Sequence, residues 1–234
     1  MLKLSVIIPI YNEEKTLREI IKKVENVRLI ENLEKEIVLV EDFSKDTTGE
    51  ILREYEKRDG FKVLRHKENK GKGASVIDGL KIATGDFVII QDADLEYEPE
   101  EYNVILPKLL RGEADAVYGS RFLKPESIKK MTFKQYFSNK ILTILSNFLT
   151  GLKLTDMETC YKALTRKTVL EIKDKLVSSR FGIEPEITAK IKKFRVAEVP
   201  ISYRGRGYGE GKKIGWKDGI SAIWQIIKYN LFSK

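Results

Sequence analysis

Phe87-Val88-Ile89-Ile90-Gln91-Asp92-Ala93-Asp94 is the stretch whose reading decides the fold. Four apolar residues, two of them isoleucine and one valine, describe a short strand buried on both faces. Two carboxylates one residue apart then follow directly. Like charges at that spacing repel, and a divalent cation is the usual remedy. Mg²⁺ and Mn²⁺ favour such oxygen ligands and share them with substrate phosphates. Taken alone, an acidic pair of this kind also fits a solvated turn. Its position, after an apolar strand and before Leu95-Glu96-Tyr97-Glu98-Pro99, favours a metal–diphosphate site at the carboxyl edge of a sheet.

Outward from this strand, the first half alternates two periodicities. Leu4 to Ile10 is a buried β run, and Glu14 to Val24 places Leu17, Ile20, Ile21 and Val24 on one helical face. Glu36 to Val40 predicts a second strand; Asp46-Thr47-Thr48 starts a helix running to about Arg58. Phe61 to Leu64 reads as a third strand and Gly71 to Ala83 as a third helix. Strands alternating with such helices imply an α/β fold whose mainly parallel sheet is covered by helices. The second half is less regular: Pro99 to Leu110 helical, Ala116 to Gly119 a strand, Thr132 to Leu149 an amphipathic helix, Val196 to Tyr203 a strand, and Trp216 to Phe232 a terminal helix. With no repeat or linker, residues 1–234 read as one domain.

Composition narrows the classes. With 42% hydrophobic and 33% charged residues, the chain can bury a core and stay soluble. No window approaches the roughly 18 unbroken apolar residues of a membrane span, and Leu4 to Ile10 is cut short too soon for a signal peptide. The single Cys160 excludes an internal disulfide framework and a cysteine zinc site, so a cytoplasmic setting is expected. The net charge of +8 is uneven: residues 151–234 hold 18 Lys+Arg against 9 Asp+Glu, and residues 1–150 hold 25 against 26. An anionic partner or a solvated lysine-rich surface accounts for that excess equally well.

Further motifs carry chemistry. Glu41 and Asp42 end the second strand, where a carboxylate can accept from a base N–H or a ribose hydroxyl, although Ser44 and Asp46 also fit helix capping. Asn69-Lys70-Gly71-Lys72-Gly73 is a glycine-rich helix start suited either to an anion or to a tight turn. Residues 204–213, with four glycines and four cations in Arg204 to Lys213, suit a positive lid over a diphosphate. The helix bearing Ile220, Ile223, Trp224, Ile227 and Leu231 suits packing or an anionic membrane surface. The only histidine, His66, reads as structural.

Ile8-Pro9-Ile10-Tyr11-Asn12-Glu13-Glu14, Glu41-Asp42, Asp92-Ala93-Asp94 and Tyr118-Gly119-Ser120-Arg121 together resemble the family-2 glycosyltransferases of the GT-A fold. Asp156 to Lys162, Val199-Pro200-Ile201 and Arg206-x-x-Gly209-x-x-Lys212 resemble the polyprenyl-phosphate members, such as dolichyl-phosphate mannose and glucose synthases. The resemblance implies a nucleotide-sugar half over 1–120 and an acceptor half over 121–234. It puts Pro9, Tyr11, Glu13 and Lys72 in the nucleotide pocket, Asp42 on the base, and Asp92 by the ribose and diphosphate. Asp94, with Glu96, would coordinate Mg²⁺ or Mn²⁺; Glu96 stands where mannose synthases usually have Gln. Arg206 and Lys212 would grip the donor diphosphate, and Arg121 with Lys140 the acceptor phosphate. Phe43 and Gly211 depart from the family's usual Gly and Ser.

The implied reaction is inverting transfer of a hexose from a UDP- or GDP-linked donor to a lipid phosphate at the cytoplasmic membrane face. A phosphate largely ionised near neutrality needs no dedicated base; for a sugar-hydroxyl acceptor, Asp156 is the candidate. A nucleic-acid-binding role for the basic C-terminal segment ranks far below, since no known nucleic-acid module is matched.

Overall fold

The computed structural model describes residues 1–205 and 216–232. Arg206, Lys212 and most of the basic loop therefore lie outside the described residues, as do the side chains of Lys217 and Ile220. The strands are β1 (Lys3–Ile10), β2 (Glu34–Glu41), β3 (Phe61–Arg65), β4 (Phe87–Ile90), β5 (Ala116–Ser120), β6 (Lys162–Thr165) and β7 (Val196–Pro200). The helices are α1 (Leu17–Asn26), α2 (Thr48–Leu52), α3 (Lys72–Ile82), α4 (Tyr102–Leu110), α5 (Pro125–Ile128), α6 (Phe133–Thr150), α7 (Arg166–Ile172), α8 (Ile183–Lys190) and α9 (Trp216–Ile227).

One sheet takes all seven strands, in the order β3-β2-β1-β4-β6-β5-β7. Only β6 runs against its neighbours, pairing antiparallel with both β4 and β5. The expected mixed, mainly parallel sheet with flanking helices is what forms. The two halves of the chain meet within it, because β6 lies directly beside β4. Apolar β-branched residues drive this: Val6, Ile7 and Ile8 of β1 and Ile89 of β4 are fully buried between helix layers.

Several elements differ from the periodicity, and α5, α7 and α8 are absent from it. The helix expected to reach Arg58 ends at Leu52 and continues as turns, with Arg53 N–H donating to Glu50 and Tyr55 N–H to Leu52, three residues back. The strand expected to reach Tyr203 ends at Pro200, where its partner β5 ends; Ser202 N–H then turns to the Glu101 carboxylate. β6 is absent from the sequence reading. It is four residues long and begins with a lysine, yet Lys162 is only 1% exposed.

The sheet's parallel strands all deliver their carboxyl ends to one edge. There the loop after β1 is stitched to the loop after β2. Asn12 N–H donates to Ser44 Oγ, Lys45 N–H to Asn12 Oδ1, Glu13 N–H to Thr48 Oγ1 and Thr47 N–H to Glu14 Oε2. Three non-glycine residues at this edge are left-handed: Asn12 (φ 54°), Phe43 (φ 60°) and Leu95 (φ 62°). Such backbone strain gathers where loops are held in a working shape.

Candidate active site

The site is built from the chain leaving β4. Gln91 is fully buried, and its side-chain oxygen accepts from the phenols of Tyr102 (2.6 Å) and Tyr161 (2.7 Å). Its amide nitrogen donates to the Asp92 carbonyl at 3.0 Å. A buried amide satisfied on both ends fixes the backbone on which the acidic pair sits. Sequence reasoning missed Gln91, whose only signal is its place between strand and carboxylates.

Asp92 faces Lys72, whose Nζ lies 2.8 Å from Asp92 Oδ1 and 3.0 Å from Glu184 Oε1. Burial alone would raise the Asp92 pKa, but the Lys72 ammonium overcomes it and holds the carboxyl low. Burial likewise works to discharge Lys72, and Asp92 with Glu184 push its pKa well up instead. Lys72 and Asp92, both expected on the nucleotide side, are thus brought together. Glu184, at the start of α8, completes the group and was not foreseen.

The glycine-rich segment before α3 is a tight turn in which the Lys70 and Gly71 N–H groups are already used. Lys70 N–H donates to Asp42 Oδ1 and Gly71 N–H to Asp42 Oδ2, both at 2.7 Å. His66 Nδ1 lies 2.7 Å from Asp42 Oδ1, and Asp42 is 2% exposed. The anion at this helix start is therefore a carboxylate of the protein. Asp42, expected on the base, is engaged by its own loop as a hub. His66, between Asp42 and Asp78, has the structural setting expected of it. Gly71 and Gly73 admit the segment Ser178–Arg180; a Cβ on Gly73 would stand 2.3 Å from the Ser178 carbonyl oxygen. Pro9 is half-buried at the end of β1, Tyr11 is exposed beyond it, and the Glu13 carboxylate accepts from Thr16 Oγ1.

Asp94 and Glu96 share the turn after Asp92, with Glu96 N–H donating to Asp94 Oδ1 at 3.1 Å. Glu96 is further held by the Tyr203 phenol at 3.0 Å, while its carbonyl accepts from Arg204 N–H. No group of three or more metal-ligating side chains exists among the described residues. Two carboxylates are nevertheless the right donor set for an ion that completes its shell with diphosphate oxygens and water.

Across the sheet edge, Arg121 and Asp156 form a buried bidentate pair. Nε lies 2.7 Å from Oδ2 and Nη2 lies 2.8 Å from Oδ1. Arg121 N–H adds a third bond to Oδ2. Burial works against the charge on Arg121, yet Asp156 drives its pKa well above normal. Both were expected in catalysis, and they do come together. Asp156, the candidate base for a hydroxyl acceptor, is fully buried and spent on the guanidinium. It anchors Arg121. The Arg121 guanidinium lies 5.9 Å from the Phe122 ring and 5.3 Å from that of Tyr203; Lys140 Nζ sits 4.6 Å over Phe122. Phe122 therefore joins the two cations expected on the acceptor side.

The chain matches glycosyl transferase family 2 over residues 5–172. It is 32% identical to a dolichol-phosphate mannosyltransferase of Pyrococcus furiosus, across 97% of this chain and 64% of that protein, so it spans somewhat under two thirds of that relative. It is 29% identical to a UDP-N-acetylglucosamine–dolichyl-phosphate N-acetylglucosaminyltransferase of Methanococcus voltae, across 95% of this chain and 94% of the other. In structure it is similar to the glucosyl-3-phosphoglycerate synthase of Mycobacterium tuberculosis in complex with Mn²⁺, UDP and glucosyl-3-phosphoglycerate. The TM-score is 0.72 at 17% identity, covering 97% of this chain and 78% of that one, a likeness of fold. A sheet that sets an acidic turn at its carboxyl edge, and a match running from β1 through α7, place this chain in glycosyl transferase family 2 as a glycosyltransferase of the GT-A fold.

Proposed function

We propose that the chain moves a hexose, with inversion, from a UDP- or GDP-linked sugar to a polyprenyl or dolichyl phosphate, with Mg²⁺ or Mn²⁺ at Asp94 and Glu96. The observation that carries the acceptor class is the outer face of α6. Phe133, Phe137, Ile141, Ile144 and Phe148 are all exposed, at spacings of three or four residues. At 1.5 Å per residue they form an apolar stripe about 22 Å long. Lys140, on the same helix, reaches the Phe122 ring beside Arg121. An apolar face running up to paired cations suits a long lipid ending in phosphate better than a soluble sugar hydroxyl. On α9, Trp224 and Ile223 are exposed as well, and with Lys134 and Lys140 they suit an anionic membrane surface. No helix among the described residues is long and apolar enough to cross a membrane.

Each side chain has work in this reaction. Pro9, Tyr11 and Glu13 border the nucleotide at the stitched loops after β1 and β2. Lys72 keeps Asp92 ionised and aligned toward ribose and diphosphate. When bound, the metal would stabilise charge on the departing diphosphate. Arg121, fixed by Asp156, and Lys140 hold the acceptor phosphate, whose oxygen attacks the anomeric carbon as the bond to the donor phosphate breaks. Arg206 and Lys212 are assigned to the donor diphosphate from the sequence. The test is transfer of radiolabelled hexose from UDP- and GDP-sugars into an organic-extractable lipid with Mn²⁺ present. Asp94→Ala should abolish it while leaving the thermal midpoint intact. Label found only in water-soluble sugar would favour the hydroxyl acceptor.

A further inference from the structure

One carboxyl that neighbours Glu184, Lys162, Arg121 and Asp156 enters neither the Lys72–Asp92–Glu184 group nor the Arg121–Asp156 pair. Glu158 stands on the segment entering β6, two residues after Asp156. Its Oε1 is buried and has no hydrogen-bond partner among the described residues, and the neighbouring Thr159 Oγ1 is in the same condition. A buried polar atom without a partner costs about 1–3 kcal/mol, so such atoms in native folds ask for an explanation. Asp156 spends both oxygens on Arg121, Asp92 Oδ1 and Glu184 Oε1 each meet Lys72, and Lys162 Nζ donates to the Thr159 carbonyl. Among the described residues, Glu158 is the carboxyl of this cluster with a buried oxygen that meets no donor.

Resting on the lipid-phosphate reading above, we propose that Glu158 serves as the neutral acid, its O–H donating to an oxygen of the acceptor phosphate next to Arg121. Among the described residues, two cations (Arg121 and Lys162) and two other carboxylates (Asp156 and Glu184) act on it in balance. An ionised Glu158 would therefore leave the cluster negative just where a second anion must enter. A protonated one leaves it neutral and supplies a donor. The electrostatics agree. Burial and Glu184 on α8 raise the Glu158 pKa, Lys162 on β6 and Arg121 after β5 pull it back, Asp156 raises it again, and it is pushed up to about 7. Arrival of the phosphate raises it further, so binding above neutrality takes up a proton.

The test is the pH profile of kcat/KM for a short-chain prenyl phosphate, from pH 6 to 9, in wild type and Glu158→Gln. Wild type should lose about tenfold per pH unit on the alkaline side, as the acid ionises. Glutamine, which donates N–H at every pH, should remove that limb and outperform wild type about thirtyfold by pH 8.5. A matching calorimetric titration of wild type at pH 8, in two buffers of different ionisation enthalpy, should show uptake of about one proton on binding the prenyl phosphate. An unchanged limb in Glu158→Gln, or no proton uptake, would overturn the proposal. So would an acid-side loss in wild type with a dead Glu158→Gln, the pattern of a base accepting a hydroxyl proton. If wild type makes no lipid product at any pH, the acceptor reading itself fails, which is a separate result.

Discussion

Asp156→Asn removes the charge facing Arg121 while keeping the side chain's shape, and so separates an anchor from a base. In the native protein the two side chains are 0% and 8% exposed, with donor–acceptor distances of 2.7 and 2.8 Å. Water can barely screen what is left when one charge goes. Breaking a buried pair from one side costs about 3–5 kcal/mol. Asparagine keeps one oxygen able to accept from the guanidinium, which argues for the lower end, about 3 kcal/mol. With a urea slope of about 3 kcal/mol per molar, the midpoint should fall by roughly 1 M. Arg121→Met should cost a similar amount. The double variant should cost less than the two together, with a coupling of about 1–3 kcal/mol. A general base would behave differently: kcat would collapse and the urea midpoint would stay. A midpoint shift below about 0.3 M, or strict additivity in the double variant, would refute the anchoring role.

Three further outcomes are expected. Glu36 is held at a pKa of about 2: burial would raise it, but Lys62, Ser5 and Thr84 outweigh burial. Its folded pKa lies below its unfolded one, so its stabilisation is complete above about pH 4.5 and fades as pH falls toward 2. The urea stability gap between wild type and Glu36→Gln, about 2 kcal/mol at pH 7, should close over that window; a gap independent of pH would contradict the assignment. Gly73→Ala should lower the thermal midpoint by at least about 5 °C despite alanine's higher helix propensity, since its Cβ would meet the Ser178 carbonyl oxygen at 2.3 Å; an unchanged midpoint would show that the segment yields freely. Phe43→Gly should hold or raise the midpoint, because a left-handed backbone costs a side chain about 1–2 kcal/mol and glycine little. A midpoint drop of several degrees, read by calorimetry, would mean that the exposed ring packs more than its position indicates.

The sheet's first half was legible because β1, β2 and β4 are apolar runs whose period and bounding loops leave no other reading. Asp92 and Asp94 were legible for a related reason, since carboxylates directly after a buried strand need a cause. β6 was not. A buried lysine heads it, and its place between β4 and β5 depends on partners far away in sequence. The pairing of Arg121 with Asp156 spans 35 residues and leaves no local pattern. The glycine-rich start of α3 carried a true signal for an anion, but nothing local says that the anion is Asp42 rather than a phosphate. Phe43 makes the opposite case: the usual glycine there matches a left-handed φ, visible only in the backbone.

Because β6 runs against β4 and β5, the segment leading into it arrives at the edge that the other strands' exits reach. The acidic turn is thus written in residues that leave a strand, and Asp156 to Tyr161 in residues that enter one. Residues 156–161 are therefore tied to the acidic turn: Tyr161 donates to Gln91, Cys160 N–H donates to the Tyr97 phenol, and Cys160 Sγ donates to the Ile90 carbonyl. One inverted strand thus makes the sheet edge a joint between two distant parts of the chain, so that a substitution at Cys160 or Tyr161 is felt at the turn after β4.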